Sequence, residues 1–559
     1  YSIEVIYNAG NTARERIATL LQNTWGQLGF QVSIGSYEWP VYLSKTEHGD
    51  FDAYIVGWVP DYLDSDNWAG PFLYGATEFS VIEVHPDVSS ADIANLLATA
   101  TVIETDTSVI VVGEKGTGAT AEIPSGKKII VVAYTVDEAA TPSVEELMEA
   151  GQGFGAINPA FLRDTIVDAL VVAARRYTDP TVRTELFKAI QIKSNELVPE
   201  IILGQYILTR VYWDWLKGRY YHPTFPERFD LLWEDPEAPA QPIGIKDYQN
   251  NPNTYAIATI GWPESFDPAM TYETFGWGIW HQIGDTLVTY WRTETEEVTP
   301  DLAVAWAHNE DGTEWYFVIR GGVVAYDPWN DKTYSIDAID VLFSFWRVER
   351  LGHSVSWMVS SFMDVNGSKA YTETEFDQIL QGSPLIAEYK GQTSTVSSLS
   401  ELLDFFGYTG DTAGVFFLKL PAPYAAILGI VADPFLSVLP MEYLLGDQYE
   451  AALEASDHGK NPEAWTEFLE WGVGDEDPTH RLMHQYPVGT GAYYVADYEE
   501  NSYIVLELNP YYWNATLWEE LYGYTPSTSY TSSDDTVILL SVTVPIIAIL
   551  LVAPITRRW

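Results

Sequence analysis

Three carboxylates stand close together in VGWVPDYLDSDNW, residues Val56 to Trp68: Asp61, Asp64 and Asp66, in a segment that also holds Trp58, Tyr62 and Trp68. A carboxylate walled by aromatic rings is desolvated, and in a lowered dielectric it attracts a cation more strongly than it does in water. The segment is therefore a candidate cation site. The same acids also have a structural reading, in which they shape turns and cap a helix. His480 and His484 stand four apart beside Asp475, Glu476 and Asp477, a spacing that places both imidazoles on one helix face. With no third ligand in register, a solvated face is the expected role, and no metal site is assigned. GHSVS at Gly352 lacks the last glycine of a nucleophile elbow, and no other triad pattern is present. Paired carboxylates abound in so acidic a chain, so none of them marks an enzyme. Neither catalysis nor a cofactor is expected.

The composition explains why acids are uninformative alone. The 559 residues carry 79 Asp and Glu against 29 Lys and Arg, a formal net charge of -50, and no cysteine. Phosphate backbones are bound by Lys and Arg displacing counterions, so nucleic acid is not an expected partner. Disulfides, thiol nucleophiles and thiolate metal sites are excluded. Twenty-one Trp and 36 Tyr exceed ordinary core needs and suit ligand binding by shape and stacking. The length predicts about three or four core-bearing units.

The elements that position the acidic segment read as α/β. Ile3, Val5 and Tyr7 alternate as a strand, and Ile17, Leu20, Leu21, Trp25 and Leu28 recur at helical spacing between Asn11 or Thr12 as cap and Gly29 as stop. Phe30, Val32 and Ile34 alternate again, a short helix is expected from Trp39, and Tyr54 to Trp58 reads as a buried strand ending in a polar loop. Residues 76–155 form a β-rich insertion with apolar runs Val109–Val112 and Ile129–Tyr134 around GEKGTGATAEIPSGKK. Its glycines suit plain turns, since no Gly-Lys-Ser/Thr follows them. Asp179-Pro180 opens a helix whose Val182, Leu186, Ala189, Ile190 and Lys193 share a core-facing stripe. A Pro-, Asn- and acid-rich linker at 234–253 then separates residues 1–233 from a second unit at 254–524.

The C-terminal end predicts location. Residues 525–535 form a Ser/Thr-rich stalk, and 536–555 make up an uncharged stretch of the length needed to cross a membrane as a helix. Arg557 and Arg558 follow, and by the positive-inside rule they are cytoplasmic, which puts the bulk of the chain at the cell surface. Asn366-Gly-Ser and Asn514-Ala-Thr are candidate glycosylation acceptors. No basic and apolar leader follows Tyr1, so any signal peptide is expected to be already absent.

Blocks in both halves resemble the family 5 extracellular solute-binding proteins, the oligopeptide, dipeptide and nickel receptors of ABC importers. The second half carries that family's opening pattern: GWPESFDPAM from Gly261, TPDLAVAW from Thr299, DGTEWYFVIRGGV from Asp311, SIDAIDVLFSFWRV from Ser335, LPAPYAAIL from Leu420, and YPVGTGAYYVADYEENSYIVLELNPYYW from Tyr486. The first half is similar to the family's later portion, in GNTARERIATLLQNTWGQLGFQV, in Glu38 to Trp68, in RRYTDPTVRTELFKAIQ and in WDWLKGRYYHP from Trp213. Closing blocks thus precede opening blocks, and part of the distal lobe is missing from the pattern. A fragment of a tandem array or a processed polyprotein is the favoured explanation, ahead of a rearranged family member.

The resemblance implies type II periplasmic-binding-protein-like α/β lobes on mixed sheets that close on a ligand, with the β-rich insertion and the C-terminal transmembrane helix added. It implies that Trp58 flanks the ligand and Asp61 pairs with a peptide's amino terminus, with Asp64 a weaker candidate beside them. On the other lobe Trp262 and Phe266, with Tyr272 nearby, sit where the family's first strand opens onto the cleft, although each also suits a core. Gly489, Thr490 and Gly491 fit a tight strand turn. The expected function is a membrane-anchored receptor that delivers oligopeptides to an ABC permease. An oligosaccharide receptor and an adhesive surface protein built from such lobes are the alternatives.

Overall fold

A computed structural model describes residues 1–515 and 536–541, apart from 48, 125, 144–145, 147–161, 205–211, 213, 215, 235–253, 260–261 and 469–476. The chain divides into one unit comprising Tyr1–Ile207 with Ala422–Ala426 and a second comprising Leu208–Pro421 and the chain from Ile427 onward. The division falls ahead of the expected linker, of which 235–253 lies outside the described residues. Residues 208–233 join the second unit because the Gln282 side chain accepts from the Phe229 N–H at 2.7 Å and donates to the Glu227 carbonyl at 3.0 Å, while Phe225 stacks on His281.

In the first unit the expected βαβ rhythm is present. Strand Ser2–Asn8 pairs in parallel with Gln31–Tyr37 and with the short strand Ala53–Tyr54. Helix Thr12–Gln27 connects the first two, and the Asn11 side chain accepts from the Arg14 N–H at its start. Trp39–Glu47 is the second expected helix. The strand expected over Tyr54 to Trp58 stops at Tyr54, and the chain beyond it leaves the ladder ahead of Pro60.

The β-rich segment forms a mixed sheet of Phe79–His85, Lys128–Val136, Ser108–Glu114 and Thr101–Glu104 in that order, with the middle pair parallel. Its central strands are apolar at successive positions because both faces are covered. Ile110, Val112, Ile130 and Val132 meet Leu170, Val171, Leu186 and Ile190 of helices Thr165–Arg176 and Pro180–Leu197. Val109, Val111 and Val131 face Ile93, Leu97 and Ala119. Asp179 caps the second helix as expected, whereas Lys193 leaves the stripe to pair with Glu196.

The second unit holds a six-stranded antiparallel sheet with helix Ala338–Leu351 against it. Asp337 and Asp340 build a reciprocal capping box at the start of that helix, and Gly352 ends it at φ 63°, a conformation costly for other residues. Phe343, Phe345, Trp346 and Arg347 on this helix are fully buried. Arg347 can be buried because it meets Asp267 in SFDPAM, Nη1 donating at 2.9 Å and Nη2 at 2.5 Å, while His480 Nδ1 lies 3.0 Å from the same carboxylate. Burial alone pushes the Asp267 carboxyl up, but the Arg347 guanidinium outweighs it and holds the group at about 2. Gly489 and Gly491 pack against the end of helix Thr274–Ile283 so closely that an added Cβ would lie 2.0 Å and 2.5 Å from its carbonyl oxygens, which confirms their structural role.

Thr536–Ser541, the start of the expected membrane-spanning helix, forms a strand instead, parallel to Thr254–Thr259 and antiparallel to Tyr503–Leu508. Thr, Val and Ile open this segment, and β-branched residues favour a strand when partners are present. Residues 542–559 and the stalk at 525–535 lie outside the described residues. Among the described residues no helix is long and apolar enough to cross a membrane.

Two predictions follow from the buried acids of the second unit. Arg347→Met keeps volume but strands the Asp267 charge, so it should cost about 3–5 kcal/mol. The wild type should lose this contribution as pH falls from about 4 towards 2, through the depressed Asp267 value. Chemical denaturation of the full chain followed by tryptophan fluorescence reads both effects. Asp285 and Asp301 behave oppositely. Both are buried, and burial together with the Asp285 charge pushes Asp301 up to about 8 against the pull of Arg228 and Arg320. A carboxyl raised in the fold stabilises below about pH 4, and that stabilisation is lost as pH rises through about 8. Asp301→Asn should therefore raise the melting temperature at pH 8 and change it little at pH 5, as scanning calorimetry would record.

Candidate functional site

The acidic segment of the first unit is organised by a residue outside the expected set. Asn67 lies on the first turn of helix Asp66–Leu73 and is fully buried. Its carboxamide Nδ2 donates to Asp61 Oδ2 at 2.8 Å, and its Oδ1 accepts from the Asp61 backbone N–H at 2.8 Å. The Trp58 indole Nε1 donates to the same Oδ1 at 3.0 Å and to the Asn67 carbonyl at 3.1 Å. One side chain thus brings together the two residues expected to meet a ligand. Trp58 is half-buried with its ring edge-on to Phe72, 5.3 Å between centroids, and Asp61 is 4% exposed. The sequence signal for Asn67 was its place right after an acid at a helix start, but there Asn reads equally well as a cap.

Asp64 and Asp66 are committed to arginines far away in sequence. Asp64 takes a two-pronged contact from Arg183, 2.5 Å from Nη1 and 2.7 Å from Nη2, and also accepts from the Asp66 N–H. Asp66 is fully buried and receives Arg175 Nε at 2.9 and 3.0 Å, Tyr424 Oη at 2.9 Å and Tyr62 Oη at 3.2 Å. Such pairs consume the carboxylate's acceptor capacity. Asp64 is therefore a structural ion-pair partner, in line with the alternative reading of these acids.

The aromatic candidates of the second unit separate by burial. Phe266 is 2% exposed, its carbonyl accepts from Trp280 Nε1 at 2.9 Å, and its ring contacts Tyr498 at 5.0 Å and Trp262 at 6.1 Å. It is a core residue. Trp262 and Tyr272 are half-buried, and the Tyr272 hydroxyl accepts from Trp357 Nε1 at 3.0 Å.

The histidine pair splits: His484 is exposed, as expected of a solvated face, whereas His480 departs from it. His480 and His484 share one side of helix Pro478–Gln485 with ring centroids 5.7 Å apart, but His480 is buried on Asp267 and His484 Nδ1 lies 3.0 Å from Ser265 Oγ. Asp475 and Glu476 lie outside the described residues. Among the described residues no group of three or more His, Asp or Glu is arranged to hold a metal ion. In GHSVS, Ser354 Oγ is 3.3 Å from His353 Nδ1, and His353 Nε2 is 3.5 Å from Glu264 Oε1. Both separations exceed the 2.6–3.2 Å reach of a working acid–base relay.

Comparisons with known proteins bear on both halves. The model of the bacterial extracellular solute-binding proteins, family 5 Middle, matches residues 1–80 and 297–529, more than half of the chain. Di/tripeptide-binding protein 1 of Pseudomonas aeruginosa is 40% identical over 65 residues, 12% of each chain. Di/tripeptide-binding protein 2 of the same organism is 24% identical over 275 residues, 47% of this chain and 39% of the relative. Among solved structures, the periplasmic binding protein DppA of Helicobacter pylori in complex with the peptide STSA aligns with 52% of this chain and 42% of its own, at 20% identity and a TM-score of 0.29. The chain spans less than half the length of each of these relatives. On the extent of the family match, and on blocks that fall in both of its halves, the chain belongs to family 5 of the bacterial extracellular solute-binding proteins.

Proposed function

We propose that this chain is the ligand-capturing part of an extracytoplasmic receptor that binds short peptides through their amino terminus and hands them to an ABC permease. The observation that carries the reading is the Trp58–Asp61 arrangement fixed on Asn67, a nearly buried carboxylate beside an indole. Such a group prefers a compact cation that can replace lost hydration with charge-assisted hydrogen bonds, and a peptide ammonium supplies both. Two of the relatives are named as di/tripeptide-binding proteins, which agrees with that chemistry. Trp262 and Tyr272 are proposed as further ligand contacts, and Phe266 and Asp64 as supports.

Attachment to the membrane through 536–555, with Arg557 and Arg558 cytoplasmic, belongs to the same proposal. It competes with the strand Thr536–Ser541, because those residues cannot serve the sheet and a spanning helix at once. Fractionation of cells producing the chain, with and without residues 542–559, tests it: the anchored reading expects release only of the shortened form.

Ligand class is tested by calorimetry. A short peptide should raise the melting temperature and an oligosaccharide pool should not. Asp61→Asn should weaken a free-amine peptide roughly ten- to hundredfold, the range of a lost charged hydrogen bond, with melting unchanged. Equal affinity in wild type and variant would remove Asp61 from the site.

A further inference from the structure

We propose that the cavity at the C-terminal end of helix Thr274–Ile283 binds one water molecule between the carboxyls of Asp285 and Asp301, and that Asp301 holds a proton there at neutral pH. Every residue lining the cavity belongs to the second unit and none is a proposed peptide contact, so the site stands independently of the peptide reading.

The cavity has a volume of about 10 Å³, room for the centre of a single water molecule. Its wall is rich in acceptors. The Ser437 hydroxyl donates to the Pro434 carbonyl at 2.6 Å and the Thr286 hydroxyl to the Val288 carbonyl at 2.8 Å, so each has lone pairs rather than a hydrogen left to offer. Asp285 is 3% exposed, and its Oδ2 accepts from Trp513 Nε1 at 3.0 Å. Water suits such a wall, because it brings two hydrogens and can take one in return. A metal or ammonium ion does not, since the Arg228 guanidinium is part of the lining.

Asp301 is the group placed to donate to that water. It is 4% exposed, and the arginines near it are engaged elsewhere. Arg320 donates through Nε and Nη2 to the Asp301 carbonyl oxygen, at 3.0 and 2.9 Å, rather than to the carboxyl. Arg228 closes on Asp230 through Nε and Nη2 at 3.0 Å each and reaches Tyr512 Oη at 2.6 Å. Among the described residues, the Thr286 backbone N–H also favours a charged Asp301, but burial and the Asp285 charge outweigh all three. His281 lines the same cavity and adds no cation, since burial, with Arg228 and His222 nearby, lowers its imidazole to about 3. The turn at Pro434 and Ser437 brings no charged side chain to the wall. Loss of the proton sets two like charges across one water. The segment that holds this turn, through the Val438 N–H on the Asp285 carbonyl at 3.0 Å, then loosens.

The experiment combines a crystal structure of the full chain at neutral pH with infrared titration of its carboxyl C=O band, in wild type and in Asp301→Asn. The structure should show an ordered water within about 3.0 Å of both carboxyls. The wild-type band should fall by one carboxyl per chain as pH rises through about 8, and the variant should lack that step. The midpoint should stay the same when choline chloride replaces sodium chloride, because no cation competes for the cavity. Hydrogen exchange at the Val438 amide should be faster in wild type than in Asp301→Asn at pH 9 and equal in the two at pH 6. If the variant fails to fold, the wild-type structure and titration carry the test. A titration without the step, or a structure in which the two carboxyls meet directly with no water between them, overturns the proposal. So does a midpoint that moves with sodium, which would assign the cavity to a cation instead.

Discussion

A chain with 79 acids and 29 bases must decide which carboxylates receive a cation, and that shortage governs the structure. A buried carboxylate without a partner costs several kcal/mol or takes up a proton. Here arginines are spent on the acids that hold elements together: Arg175 on Asp66, Arg183 on Asp64, Arg228 on Asp230 and Arg347 on Asp267. The Arg175, Arg183 and Arg347 pairs each join the start of a helix or turn to a partner distant in sequence, while Arg228 and Asp230 close a single turn. The buried charge is therefore placed where it sets register, and the surrounding apolar packing supplies the bulk of the stability.

Where guanidinium runs short the fold uses protons and amides. Asp285 and Asp301 share the neighbourhood of Arg228, which already serves Asp230 in a two-pronged pair, and burial together with the Asp285 charge raises Asp301 against its pull. Asp61 is met by the Asn67 amide in the same few residues where two other acids are met by arginine.

Much of the frame was legible in the sequence because its signals are local. Asn11 before the first helix, Asp179-Pro180 before a later one and the alternation of Ile3, Val5 and Tyr7 each depend on near neighbours, and each is found as expected. The two-sided apolar run Val109–Val112 likewise announced a covered strand. What could not be read were partners distant in sequence. Nothing around Asp64 announces Arg183, so it looked like a ligand group, and nothing around His480 announces Asp267, so a buried histidine looked solvated. For Phe266 the sequence left core and contact both open for the same reason, since burial is a property of what packs over a residue. Thr536–Ser541 shows the complementary limit: an uncharged apolar run satisfies the rule for a spanning helix and for a covered strand alike, and its sheet partners decide.

The net charge bears on the proposed ligand in a less direct way. A dipeptide at neutral pH is a zwitterion, so the negative field of the protein exerts almost no net pull on it, but it turns the amine end inward and the carboxylate outward. That bias reaches only about 8 Å at physiological salt, the distance over which exposed charges are felt. A peptide rich in Asp or Glu, by contrast, is repelled before contact. The global acidity therefore selects against anionic ligands and presents the others amine-first, while the choice between an amine and its acetylated form falls to a single short-range contact. In the proposed reading that contact is made by Asp61, nearly buried and hydrogen-bonded by the Asn67 amide.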